Sequence, residues 1–135
     1  MLTQGALINI DVPDINKAEA FYCGVFDLKV TRRIGPGAVE LSGFVVPCYL
    51  LEKAGGTKAF RGDSRSREYS RHWTPVHLDI SVTDIRAVYD RAVAAGAVPE
   101  AEIREAPYGK IVLMSDPFGH GFCLIEFNER GYDAL

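Results

Sequence analysis

The sequence predicts an α+β fold. Two tandem βαβββ modules pair their curved mixed sheets around a concave groove, with the helices on the outside. Three observations predict this: a doubled segment, period-two strands opening each copy, and a capped amphipathic helix after each strand. "GALINIDVPD" (5–14) and "TPVHLDISVTD" (74–84) run in step when Asp14 is laid on Asp84. Ile10 then falls on Ile80, Val12 on Val82, Ile15 on Ile85, and Leu7 on His77. A self-similar period is the mark of a repeated supersecondary unit.

Each copy opens with an alternating strand. Ile8, Ile10 and Val12 point one way and Leu7, Asn9 and Asp11 the other. In the second copy Leu78, Ile80 and Val82 oppose His77, Asp79 and Ser81. Alternation of this kind marks a half-buried strand whose apolar face packs under the following helix. Asp14 and Asp84 are placed to cap those helices. Ile15, Ala18, Phe21, Tyr22 and Val25 form one apolar stripe, and Ile85, Val88, Tyr89 and Ala92 the other. Gly24 and Gly96 lie near the expected C-termini, where left-handed backbone is common.

Short strands follow. The first half reads as Lys29–Arg33, Ala38–Leu41 and Phe44–Glu52, the second as Ala101–Glu105, Lys110–Met114 and Gly121–Asn128. "GPG" (35–37), "SG" (42–43), "APYG" (106–109) and "DPFGHG" (116–121) supply turn residues. Module one thus spans about 4–52 and module two about 75–130, in a single domain. Between them, residues 53–74 read as a long linker or mobile loop, longer than compact domains usually tolerate without a function. The polar faces of the opening strands would line the groove, and inward polar residues are costly unless bonded, solvated or functional.

The chain has 135 residues, a net charge of −3 and 47% hydrophobic residues. That is one domain with room for a core. The acid balance argues against nucleic acid as a partner. There is no apolar run of the ~20 residues that span a bilayer, and no signal peptide is read at the N-terminus. Cys23, Cys48 and Cys123 are an odd set without close spacing, which points to reduced thiols in a cytoplasm.

The strips "INIDVPDINKAEAFYCGVFDLKV", "VHLDISVTDIRAVYDRAVAAGA" and "VLMSDPFGHGFCLIEF" resemble the vicinal oxygen chelate superfamily, which includes glyoxalase I, bleomycin-resistance proteins, fosfomycin-resistance enzymes and extradiol dioxygenases. The resemblance spans about residues 4–130. It implies metal ligands on the first and last strands of each module. His77 matches the first-strand ligand of module two and Glu126, in "LIEF", a last-strand carboxylate. Glu52, in "YLLEK", is its counterpart in module one, because Leu50-Leu51-Glu52 lies on Leu124-Ile125-Glu126. Leu7 stands at the fourth position and offers no donor, so the sequence departs from the family there.

An imidazole with one or two carboxylates suits Zn, Ni, Mn, Fe or Co. A divalent ion with open positions would polarise a substrate's oxygens, while Glu126 or Glu52 moves a proton. Asn9, Asp11, Asp79, Cys48 and His120 are candidate substrate contacts around the groove. Plainer readings stand beside these: a hydrogen-bonded core histidine for His77, a solvated carboxylate for Glu126, a surface ion pair for Glu52, a small buried hydrophobe for Cys48. His72, beside Trp73, reads as stacked or solvent-exposed.

The linker carries six cations against Asp63 and Glu68, a balance of +4, leaving −7 on the rest. It reads as a cationic lid for an anionic small molecule or as a solvated loop. Two functions follow. One is a metal-dependent lyase or isomerase of glyoxalase type, acting on an oxygen-chelating small molecule. The other is a metal-free protein that sequesters a small ligand, as the bleomycin-resistance group does. The resemblance implies a homodimer that can build its sites across the interface.

Overall fold

Asp14 and Asp84 set the start of both helices. In the computed structural model, which describes residues 4–135, Asp14 Oδ1 accepts hydrogen bonds from the Asn16 and Lys17 N–H groups at 3.0 Å. Asp84 Oδ1 accepts one from Ala87 N–H at 3.0 Å. These carboxylates satisfy donors that a helix N-terminus otherwise leaves unpaired. The chain divides into two compact units, the first ending at Tyr69 and the second beginning at Ser70.

In the first unit the order is β1 (Ile8–Val12), α1 (Ile15–Phe26), β2 (Lys29–Arg33), β3 (Ala38–Ser42) and β4 (Cys48–Glu52). The strands form an open mixed sheet in the order β1-β4-β3-β2, with β1 parallel to β4 and the other pairs antiparallel. Helix α1 buries Ile15, Ala18, Phe21, Tyr22 and Val25, the stripe read from the sequence. Beneath it Val39, Leu41, Cys48 and Leu50 are almost wholly buried. A leucine or isoleucine so buried contributes roughly 1.5–3 kcal/mol.

In the second unit the order is β5 (Leu78–Ser81), α2 (Ile85–Ala94), β6 (Val98–Pro99), β7 (Arg104–Ala106), β8 (Gly109–Ser115) and β9 (Gly121–Phe127), ending in a 3-10 turn at Gly131–Ala134. The sheet runs β5-β9-β8-β6, and β7 also pairs with β8. Strand β5 is parallel to β9. Helix α2 buries Ile85, Val88 and Ala92, while Tyr89 stays part-exposed.

Three local expectations change. The strand expected at Phe44–Glu52 begins only at Cys48, just after Pro47, which has no N–H to give a ladder. Of the strand expected at Ala101–Glu105 only the end forms, as β7, while β6 lies before that range; both pair with β8. Gly24 lies inside α1, and the left-handed residue after that helix is Asp27, at φ 54°. Gly96, at φ 105°, does follow the Ala95 cap of α2.

The segment read as a long linker is divided between the units. Within 53–69, Gly56 N–H bonds Arg67 O at 2.9 Å and Arg67 N–H bonds Thr57 O at 2.8 Å. Tyr69 Oη donates to Lys53 O at 2.6 Å. The stretch is a loop closed by its own ladder bonds, as compact surface loops are.

Candidate functional site

Strand pairing decides which side chains share a face. Asp79 pairs with Cys123, Ile80 with Leu124 and Ser81 with Ile125. Residues directly paired point to the same side of a sheet. Asp79, Cys123, Ser81 and Ile125 therefore occupy the face away from α2, and His77 continues that parity just before β5. Among the described residues, His77, Asp79 and Cys123 are the one group of three metal-capable side chains, with ligand atoms all within 4.8 Å of one another. His77 Nε2 lies 3.1 Å from Asp79 Oδ1. His77 and Asp79 are exposed and Cys123 is buried.

Burial pushes the Cys123 thiol up to about 11, helped by the Asp79 carboxylate, which also accepts its hydrogen bond. Arg104 acts in the opposite sense, and Glu100 raises the value slightly. Without a cation this sulfur keeps its proton. A bound divalent ion is the usual means of making such a thiol a thiolate. One imidazole nitrogen, one carboxylate oxygen and one sulfur form a donor set that fits a borderline ion such as Zn(II), Co(II) or Ni(II), with positions left for ligand oxygens.

Glu126 is placed elsewhere. It follows Leu124 in parity, on the helix side of the sheet, opposite the face of His77. Its Oε2 accepts a hydrogen bond from Ile85 N–H at 2.8 Å. Glu52 does the same in the first unit, taking Ile15 N–H at 2.9 Å. The correspondence of the two glutamates in the repeat is real, but each closes the first turn of its own helix. The expected meeting of Glu126 with His77 is not what the register produces. Cys123, three residues earlier and on the other face, is the β9 side chain that reaches His77. Sequence reasoning passed over it, and the available signal was its parity with Asp79.

The remaining candidates divide similarly. Cys48 pairs with Ile8 and Leu41 on the core side of the first sheet and is fully buried. Burial, with Cys23 nearby, holds its thiol at about 11, so it contributes packing and not a surface contact. Asp11 Oδ2 is engaged by Arg67 Nε at 2.9 Å. His120 stands in the turn before β9, its N–H bonded to Asp116 Oδ1 at 2.9 Å. The buried Asp116 also takes Phe118 N–H at 2.8 Å, which accounts for an aspartate in "DPFGHG".

Asn9 is exposed and pairs with Tyr49, which in turn pairs with Glu40. Tyr49 Oη donates to Glu40 Oε2 at 2.5 Å and Thr31 Oγ1 to Glu40 Oε1 at 2.9 Å. Those bonds, Tyr49's foremost, hold the Glu40 carboxyl below its ordinary value. Leu7 is 61% exposed. Three cations of the 53–74 stretch carry carboxylate partners: Arg65 with Asp63, Arg67 with Asp11, Arg71 with Glu100. Asp11 and Glu100, outside the stretch, thus match two of the four net positive charges read there.

No helix among the described residues is long and apolar enough to cross a membrane. The family model for the glyoxalase-like domain matches residues 7–125. An uncharacterised protein of Mycobacterium bovis is 30% identical over 121 residues, covering 84% of this chain and 76% of its own. The fosfomycin resistance protein FosX of Listeria monocytogenes superposes with a TM-score of 0.72 at 17% identity, covering both chains fully. A variant of that FosX, solved with Mn(II) and 1S,2S-dihydroxypropylphosphonic acid, gives 0.70 at 17% identity over 96% of this chain and 94% of its own. A glyoxalase-related enzyme of Fulvimarina pelagi gives 0.71 at 18% identity, covering 93% and 88%.

Proposed function

The chain belongs to the glyoxalase-like family, and from that premise we propose that it is a metal-dependent enzyme, a lyase or isomerase acting on a small molecule with neighbouring oxygens. The observation that carries this reading is the convergence of His77, Asp79 and Cys123 within 4.8 Å on the face of the second sheet away from α2. These three side chains would hold the ion. A divalent ion bound there supplies Lewis-acid stabilisation to charge developing on a substrate oxygen. Asp79 is exposed, so its carboxylate has an oxygen to spare for accepting a substrate proton. Buried Cys123 keeps one side of the site dry. Mn(II) in the FosX variant supports a divalent ion; the sulfur donor favours a softer one here.

Tag-free protein should retain about one equivalent of Zn(II) or Co(II), and Co(II) loading should give a thiolate charge-transfer absorption. His77→Ala and Cys123→Ser should each lower the affinity at least tenfold. Metal-free protein that gains no thermal stability from added divalent ions would overturn the reading.

Leu7 favours a second reading. Its apolar side chain stands where the family resemblance expects a ligand, and a metal-free protein sequestering a small molecule needs no donor there. Melting shifts with small organic ligands in the presence of a chelator would support it. A cytoplasmic homodimer belongs to both readings. The exposed Leu7, Trp73 and Val76 offer apolar area for association, and three unpaired cysteines suit a reducing compartment. Sedimentation at a single monomer mass would remove the dimer.

A further inference from the structure

The face of the second sheet away from α2 extends beyond the three candidate ligands. Leu113 pairs with Cys123 and Ile111 with Ile125, and Arg104 pairs with Ile111. Arg104 therefore lies on the same face, at the strand edge, two strands from β9. Two strand spacings amount to about 10 Å, and two residues along the strand to about 7 Å. A long arginine side chain spans much of that separation. Between the two groups lie the half-buried Ile111 and the exposed Leu113, with Ile125 buried beside them.

Two other charges border this face. Arg71 grips Glu100 with two bonds of 2.8 Å, and its guanidinium lies over Gly121, where a Cβ would meet Nη2 at 2.5 Å. That arginine is already neutralised. Arg104 is exposed, and among the described residues no carboxylate forms an ion pair with it. Its charge is nonetheless felt at the Cys123 sulfur. The face thus has a metal-capable cluster at one side, a short apolar middle and an uncommitted guanidinium at the other.

We infer that Arg104 is the specificity residue of this site, and that the substrate class is a small molecule with an oxygen-chelating head and an anionic tail. The inference rests on the proposed metal reading. A guanidinium pairs in a forked, charge-assisted way with carboxylate or phosphate, and a short apolar spacer between head and tail would lie on Ile111 and Leu113.

The test uses the full chain loaded with Co(II) and two probes sharing one head: lactate, which has no tail, and 2-hydroxyglutarate, which has one. Titration of the Co(II) spectrum should show 2-hydroxyglutarate binding about tenfold tighter than lactate, the scale of one charge-assisted bond. With Co(II) at saturation, so that any effect of Arg104 on the Cys123 sulfur does not enter, Arg104→Ala should erase that difference by weakening 2-hydroxyglutarate and not lactate, and Arg104→Lys should restore part of it. Lys110→Ala, on the helix side of the sheet, should change neither. Normal Co(II) spectra with equal affinity for the two probes, or an Arg104→Ala protein indistinguishable from the parent, overturns the inference alone. Failure of the parent to bind Co(II) overturns the metal reading, and this inference with it.

Discussion

Glu126 Oε2 accepts a hydrogen bond from Ile85 N–H at 2.8 Å, tying the last strand of the second unit to the first turn of its helix. Glu52 and Ile15 repeat the relationship in the first unit. A carboxylate there meets both an orphan donor and the positive end of the helix dipole. Each pair also fixes how its helix lies on its sheet, which makes the glutamates part of the fold's construction.

Glu126→Ala should therefore cost about 1–2 kcal/mol of stability, read by urea denaturation, and leave Co(II) affinity unchanged. Glu126→Gln, which keeps an acceptor without the charge, should cost less. Loss of Co(II) binding in a well-folded Glu126→Ala protein would instead return this residue to the metal site.

Gly109 should tolerate no side chain. Its φ is 142°, and a Cβ there would lie 2.0 Å from the carbonyl oxygen of Glu126. The obstacle is backbone of the paired strand, so β8 and β9 would have to part. Gly109→Ala should lower stability by roughly 3 kcal/mol or more. Gly121→Ala meets only the far end of the Arg71 side chain, not backbone, and should cost far less. Comparable melting temperatures for the two variants would refute the distinction.

Much of the fold was legible because it is written twice. The offset of Asp14 to Asp84 located both helices, both caps and both buried stripes. The candidate site was legible only in part. His77 and Asp79 followed from alternation on β5. The last strand offered Cys123 and Glu126, three residues apart and so on opposite faces, and alternation alone does not say which face is which. Pairing of Asp79 with Cys123 does. The split of β6 from β7 and the ladder inside residues 53–69 depend on pairing partners distant in sequence, which local patterns do not encode.

Glu40 and Tyr49 predict a pH dependence. Tyr49's hydrogen bond, then Thr31's, lowers the Glu40 carboxyl from its reference of 4.5. A lowered folded-state value means stability that is present above the unfolded value and lost as pH falls through the folded one. The same bond raises the Tyr49 hydroxyl from 10.0, so that contribution is present below 10 and lost as pH rises through the raised value. Tyr49→Phe should thus be most destabilising between about pH 5 and 9, with its deficit shrinking below pH 4. A deficit constant from pH 3 to 7 in urea titrations would contradict this.

Arg67 should control the accessibility of its loop. Its guanidinium binds Asp11 Oδ2 at 2.9 Å, Thr57 Oγ1 at 3.2 Å and Lys58 O at 2.5 Å, while its backbone closes the ladder to Gly56 and Thr57. The side chain is 16% exposed and its partner 37%, so the ion pair is screened and modest on its own. The bonds to Thr57 and Lys58 hold the two sides of the loop together, and Asp11 fixes that loop to β1. Arg67→Ala should leave global stability within about 1 kcal/mol yet open the loop locally. Trypsin cleavage after Lys58, Arg61 and Arg65 should then accelerate about tenfold under native conditions, because native-state proteolysis tracks the population of the opened form. Asp11→Asn should accelerate it less, since only the anchor to the strand is weakened. Unchanged cleavage in both variants would show that backbone bonding alone closes the loop.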